Sequence, residues 1–190
     1  HAIRPRKLGY DICLFSFRIL MSRCEQITRS LAIVSPDGGR RAQPAELVQA
    51  ESLKVRTPLF NAIMYDRGGM SRAERELSAL GASMVNHCVY CAAVHAMRHA
   101  QLEKSTEVTD RVFLEGTGAD LAPRDRAILD FAVALSECPS QAGPEHLDAL
   151  KAAGLDEAEV LDLILSAALF GWANRLMHVL GDPVRPEATG

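Results

Sequence analysis

Beyond residue 44, apolar positions recur with a helical period and are punctuated by strong start and stop signals. Pro44 predicts a short helix through about residue 54. Pro58 predicts a second, from residue 59 to about 67, ended by Gly68 and Gly69. Ser71-Arg72-Ala73-Glu74 is a capping box, in which the serine accepts from a first-turn amide and Glu74 reaches back. The helix it opens carries Leu77, Leu80 and Met84 on one face. Pro123 predicts another first turn, followed by an apolar face of Ile128, Leu129, Phe131, Ala132 and Leu135, with a stop at Cys138-Pro139. Pro144 starts a short helix that Gly154 ends. Asp156-Glu157-Ala158-Glu159 caps a last helix, which Gly181-Asp182-Pro183 stops near residue 180. That helix is apolar almost all round, so it is expected at the centre or at a subunit interface. The one strand-like run is residues 31–34. The fold class predicted is all-α, a helical bundle that forms oligomers.

With 190 residues, the chain has the length of one domain. The expected division is an N-terminal extension over 1–45, a helical domain over 46–183 and a loose tail over 184–190. The first twenty residues pair Arg4, Arg6 and Lys7 with an apolar run, loosely like a signal peptide. However, Arg18 interrupts the run, and Met21 is an alternative start. Hydrophobic residues make up 48%, enough for a full core. A net charge of −3 without a basic patch argues against nucleic acid as a partner. The longest apolar stretch, residues 163–173, is shorter than a membrane span of about 20 residues, so no membrane association is expected. Five cysteines and no Asn-x-Ser/Thr sequon favour a reducing, cytoplasmic compartment, where close cysteines indicate catalysis or metal.

Chemistry concentrates in residues 86–95, which read NHCVYCAAVH. At about 100° per residue, Cys88, Cys91 and His95 fall within an arc of about 60° on one helical face. Asn86 is the expected N-cap, so both cysteines lie near the first turn, where the helix dipole stabilises a thiolate. Three readings fit: an accidental alignment of core residues, half of a zinc site, or a dithiol redox centre with an acid/base partner. Zinc lacks a second Cys/His pair at matching spacing, although His95 and His99 are four apart.

Glu76 lies twelve residues before Cys88, and Glu76 followed by Cys88-x2-Cys91-x3-His95 resembles the motif of AhpD-like alkylhydroperoxidases in the carboxymuconolactone decarboxylase family, in its peroxidase-related branch. Residues 71–76 resemble the opening of that family's glutamate helix. Ala173-Asn174-Arg175, followed by Leu180-Gly181, resembles its closing helix. The resemblance spans about residues 56–183. It implies an all-helical fold assembled as a dimer, trimer or hexamer. It implies reduction of hydroperoxides through the two cysteines, with Glu76, Cys88, Cys91 and His95 as catalytic residues. It further implies no metal, haem or flavin, and a dithiol reductant that is thioredoxin-like or lipoyl-bearing. Tyr90 stands where members of the family carry a second histidine, which departs from their full proton relay. The resemblance makes Cys91 the attacking cysteine and Cys88 the resolving one, whereas the helix dipole favours Cys88.

Tyr90 and His99 are weaker candidates for the pocket wall. In one straight helix Glu76 would stand about 18 Å from Cys88, so the chain must break between them, at Gly81 or Asn86. His87 is expected to be exposed, Trp172 in the core, and Asn174 and Arg175 structural. Cys13, Cys24 and Cys138 are bystanders, and Gly116-x-Gly118 follows no strand and so is no nucleotide loop. Two other functions fit the residues: lactone decarboxylation or related acid/base chemistry, and a non-catalytic scaffold that senses redox state or binds zinc.

Overall fold

The computed structural model describes residues 50–180. The expected 31–34 strand, the start of the first helix at Pro44, the 45/46 boundary, Cys13, Cys24 and the tail lie outside the described residues. Among these, seven α-helices follow one another, with no strand: α1 Ala50–Tyr65, α2 Arg72–Val85, α3 Val89–Glu103, α4 Glu107–Glu115, α5 Pro123–Ser136, α6 Pro144–Ala152 and α7 Glu157–Leu180. A 3-10 turn at Gly116–Gly118 follows α4. The all-α expectation holds.

The start signals act as read. Ser71 Oγ accepts from the Glu74 N–H at 3.2 Å, and Glu74 accepts from the Ser71 N–H at 2.9 Å. Asp156 and Glu159 form the same reciprocal pair at the start of α7. Pro123 and Pro144 sit in the first turns of α5 and α6. The first helix departs from expectation: Pro58 lies inside α1 and does not begin a new helix. Proline removes one hydrogen bond and leaves a carbonyl without its helical donor. At this position both Pro58 and Lys54, four residues earlier, are exposed, so the proline lies on the solvent side of the helix.

The core is built around α2, not α7. Ten residues of α2 are buried, and it packs against α3, α5 and α7. Leu77 and Leu80 meet Ile128, Leu129, Ala132 and Leu163 in the main cluster. Gly81 was expected as a break point, but α2 runs straight through it. A Cβ there would stand 3.0 Å from Leu129 Cδ1 and 3.2 Å from the Ala132 Cβ, so glycine lets α2 and α5 approach.

One side of α7 is buried through Leu163, Ser166, Ala167, Phe170 and Asn174, while Leu161, Leu165, Trp172 and Leu176 remain exposed. Trp172 is therefore not a core residue. The helix has the bounds its caps predict, but the apolar span is longer than residues 163–173: Glu157–His178 is long and apolar enough to cross a membrane by length and composition. Its inner side carries polar groups that tie it to α2: Ser166 to Ser78 at 3.0 Å, and Asn174 to Ser83 at 3.3 Å.

Arg75 is the buried fastener of the α1–α2 connection. Its guanidinium donates to the carbonyls of Ile63, Asp66 and Gly68 and to the Asp162 carboxylate. It thereby satisfies carbonyls at the end of α1 that have no helical donor.

Candidate active site

The site begins with a three-residue reversal between α2 and α3. Asn86 closes α2, with its N–H and its Nδ2 both donating to the Ala82 carbonyl. His87 takes φ +55°, and the Cys88 N–H then donates to the Ser83 carbonyl at 3.0 Å. Asn86 is thus the C-cap of α2, and Cys88 is the N-cap of α3. The expected N-cap was two residues too early because the left-handed turn at His87 intervenes. Cys91 occupies the third helical position, so both sulfurs stay near the positive end of the α3 dipole.

Because the chain doubles back, α3 lies beside α2. The separation that a straight helix would impose collapses, and His95 Nδ1 meets Glu76 Oε2 at 2.6 Å. Both side chains are buried. The other carboxylate oxygen is held by Arg72, whose Nε donates to Oε1 at 2.8 Å and whose Nη2 donates to the same atom. The Arg72 guanidinium itself lies 3.8 Å from the centroid of the Tyr65 ring. Burial pushes the Glu76 carboxyl up. The hydrogen bond and charge of His95 and the charge of Arg72 outweigh it and hold Glu76 below the usual carboxylate range. Glu76 is therefore ionised at neutral pH. An ionised carboxylate against Nδ1 fixes the proton on that nitrogen and leaves Nε2 as the basic one. The His95 ring also packs edge-on against Phe170, with centroids 3.9 Å apart.

Cys88 and Cys91 are both buried, with their sulfurs 2.8 Å apart. Disulfide bonding requires about 2.05 Å, so only a small motion separates the thiols from a bridge. His95 follows Cys91 by one turn on the same face of α3. The cluster thus joins two adjacent sulfurs, a helix N-terminus and a buried carboxylate–imidazole pair.

Residues 50–112 match the carboxymuconolactone decarboxylase family. The fold is AhpD-like. Among solved structures, a peroxidase-related protein from Ralstonia eutropha JMP134 with an alkylhydroperoxidase AhpD core is 27% identical. It covers 84% of this chain and 86% of its own, with a TM-score of 0.68. A peroxidase-related protein from Silicibacter sp. TM1040 is 23% identical over 73% of this chain and 72% of its own, at TM-score 0.64. The debrominase Bmp8 shares the fold at 22% identity and TM-score 0.61, over 74% of each chain. No curated protein matches the chain.

In this AhpD-like chain, Glu76 pairs with His95 and Cys88 with Cys91, and α3 carries Cys91 and His95 one turn apart. Tyr90 lies half-buried between the cysteines in sequence. His99 is one turn further along α3, buried, in the wall of a separate cavity formed with Glu74, Glu103 and Asp125. Cys138 is exposed beyond α5, and His87 is exposed on the turn. Asn174 is structural, bonded to Ser83, and Arg175 donates to the Gly171 carbonyl. The hold of Arg72, itself stacked on Tyr65, on Glu76 was not anticipated. Its sequence signal is the i, i+4 spacing of Arg72 and Glu76, a common surface pairing that here is drawn inward.

Proposed function

We propose that the chain is a two-cysteine thiol oxidoreductase that reduces hydrogen peroxide or organic hydroperoxides. The observation that carries this reading is the pair of adjacent sulfurs at a helix N-terminus beside the Glu76–His95 pair. The match of residues 50–112 to the carboxymuconolactone decarboxylase family and the likeness to peroxidase-related proteins support it.

Glu76 holds the His95 tautomer, and His95 Nε2 takes the thiol proton, directly or through water. The Cys91 thiolate attacks the terminal peroxide oxygen, and the O–O bond breaks. The leaving alkoxide takes the proton and departs as alcohol, or as water from hydrogen peroxide. Cys91 is now a sulfenic acid. Cys88 attacks its sulfur, water leaves, and a Cys88–Cys91 disulfide forms. A thioredoxin-like or lipoyl dithiol restores both thiols by exchange and is itself oxidised to a disulfide. No step needs a metal, haem or flavin.

The test treats the reduced protein with one equivalent of an organic hydroperoxide and reads peptide masses. A Cys88–Cys91 disulfide should form, and more slowly in Glu76→Gln. Cys91→Ser should abolish sulfenic acid, whereas Cys88→Ser should trap it; the reverse pattern moves the attack to Cys88. Oxidation no faster than that of exposed Cys138 would overturn the peroxidase reading. A second reading is favoured by the buried Glu76 carboxylate against the His95 imidazole alone: acid/base chemistry of the lactone decarboxylase kind. Such activity would survive replacement of both cysteines.

A further inference from the structure

Arg72 has no step in the thiol chemistry above, yet its placement gives it one. It is the first residue of α2, where the free N–H groups of a helix favour an acidic residue and oppose a basic one. The side chain nevertheless turns inward and is only 21% exposed. Its Nε and Nη2 both donate to Oε1 of Glu76, which is fully buried. The guanidinium also lies over the Tyr65 ring of α1, so two helices support it.

The two oxygens of Glu76 therefore have separate partners. Oε1 takes the Arg72 bonds, and Oε2 is left for His95 Nδ1 at 2.6 Å. The other charged and titratable groups on the surrounding helices are engaged elsewhere. Asp162 of α7 binds Arg75 of α2. Arg56 of α1 lies over Phe60 and Trp172. On α3, the sulfurs of Cys88 and Cys91 meet each other, and His99, which feels Glu76, is held below its ordinary value by burial. Asp125 of α5 acts on His99. Phe170 of α7, against the His95 ring, brings no charge.

Burial by itself favours a protonated Glu76. A protonated carboxyl would donate its own hydrogen to Nδ1, and the ring hydrogen would then sit on Nε2. The same added proton placed on His95 would also sit on Nε2. In either state the atom that takes the thiol proton is occupied. A fixed cation beside the pair opposes both states, because it disfavours any added proton.

We propose that Arg72 is a positioning residue that sets the pH range of thiol activation: by holding Oε1 it keeps Glu76 a carboxylate, Nδ1 the donor and Nε2 the base. The task of Nε2 rests on the peroxidase reading above; the place of the proton on His95 does not.

Disulfide formation in the reduced full-length chain is followed with an organic hydroperoxide at a series of pH values, for the parent, Arg72→Met and Arg72→Lys. The acid-side midpoint of the rate should rise by about one pH unit in Arg72→Met, the lower end of the shift that a neighbouring arginine imposes on a carboxylate. Arg72→Lys, which keeps the charge, should bring the midpoint back toward that of the parent. A rate lowered by the same factor at every pH, or an unmoved midpoint, would overturn the proposal. Melting curves verify folding. Should Arg72→Met fail to fold, Tyr65→Leu removes only the support of the guanidinium and should move the midpoint the same way by less; no movement would overturn the proposal. NMR of the His95 ring nitrogens is the second readout. At neutral pH the hydrogen should sit on Nδ1 in the parent and move toward Nε2 in Arg72→Met. A parent that forms no disulfide defeats the peroxidase reading alone, and the NMR comparison then decides the part of Arg72: the same His95 tautomer in both proteins would overturn it.

Discussion

Replacing Arg75 with methionine should destabilise the fold by about 3 kcal/mol, at the lower end of the range for breaking a buried ion pair. Arg75 is fully buried. Its guanidinium donates to the Ile63 carbonyl at 2.8 Å, the Asp66 carbonyl at 3.2 Å, the Gly68 carbonyl at 2.6 Å and Asp162 Oδ2 at 2.7 Å. Methionine fills much of the same volume and removes all four bonds. Asp162 then keeps only the Met70 N–H at 2.9 Å, and the buried Ile63 carbonyl loses a donor. Water limits the damage, because the Asp162 side chain is 22% exposed and Asp66 and Gly68 lie at the surface. Arg75→Lys keeps the charge, but one ammonium cannot span four acceptors, so about 1.5–3 kcal/mol should still be lost. The assay is urea unfolding, read as a shift in midpoint at constant slope. A cycle with Asp162→Asn should show coupling of about 1 kcal/mol or more. A loss below about 1 kcal/mol for Arg75→Met, or strict additivity with Asp162→Asn, would refute the idea that one arginine fastens α1, α2 and α7 together.

Glu76 is held below its ordinary 4.5, so its contribution to stability is present above that pH and lost as pH falls through the lower folded value. Glu76→Gln should therefore reduce stability at neutral pH and flatten the acid limb, and parallel pH curves for the two proteins would count against the pairing with His95 and Arg72. His99 is held below its ordinary 6.5, so the unfolded chain takes up its proton first and stability falls as pH drops below 6.5. His99→Gln should remove that slope from urea midpoints collected across the window; an unchanged slope would place the titration elsewhere. Gly81→Val should destabilise by about 1–3 kcal/mol, since even its Cβ would crowd Leu129 and Ala132. A melting temperature equal to that of the parent would show that α5 yields freely.

Local rules acting within a few residues were legible in the chain itself. The capping residues Ser71, Glu74, Asp156 and Glu159, the first-turn prolines 123 and 144, and the terminating Gly154 act through backbone groups three or four positions away, so the helices they bound could be read directly. The spacing of Cys88, Cys91 and His95 likewise places them on one face of a single helix, whatever surrounds it. Pro58 misled because the cost of a proline inside a helix depends on its surroundings, and this one lies at an exposed position. Asn86 misled because the left-handed turn at His87 moves the cap by two residues. Only the tertiary structure decided that Glu76 belongs with His95, that Arg72, stacked on Tyr65, holds its other oxygen, and that α2, the less apolar helix, lies at the centre with α7 exposing one side. The physical reason is that burial and charge pairing depend on which helices lie side by side. That is set by the antiparallel return of α3 along α2 and by the glycine that admits α5, and neither is carried by the period of the sequence.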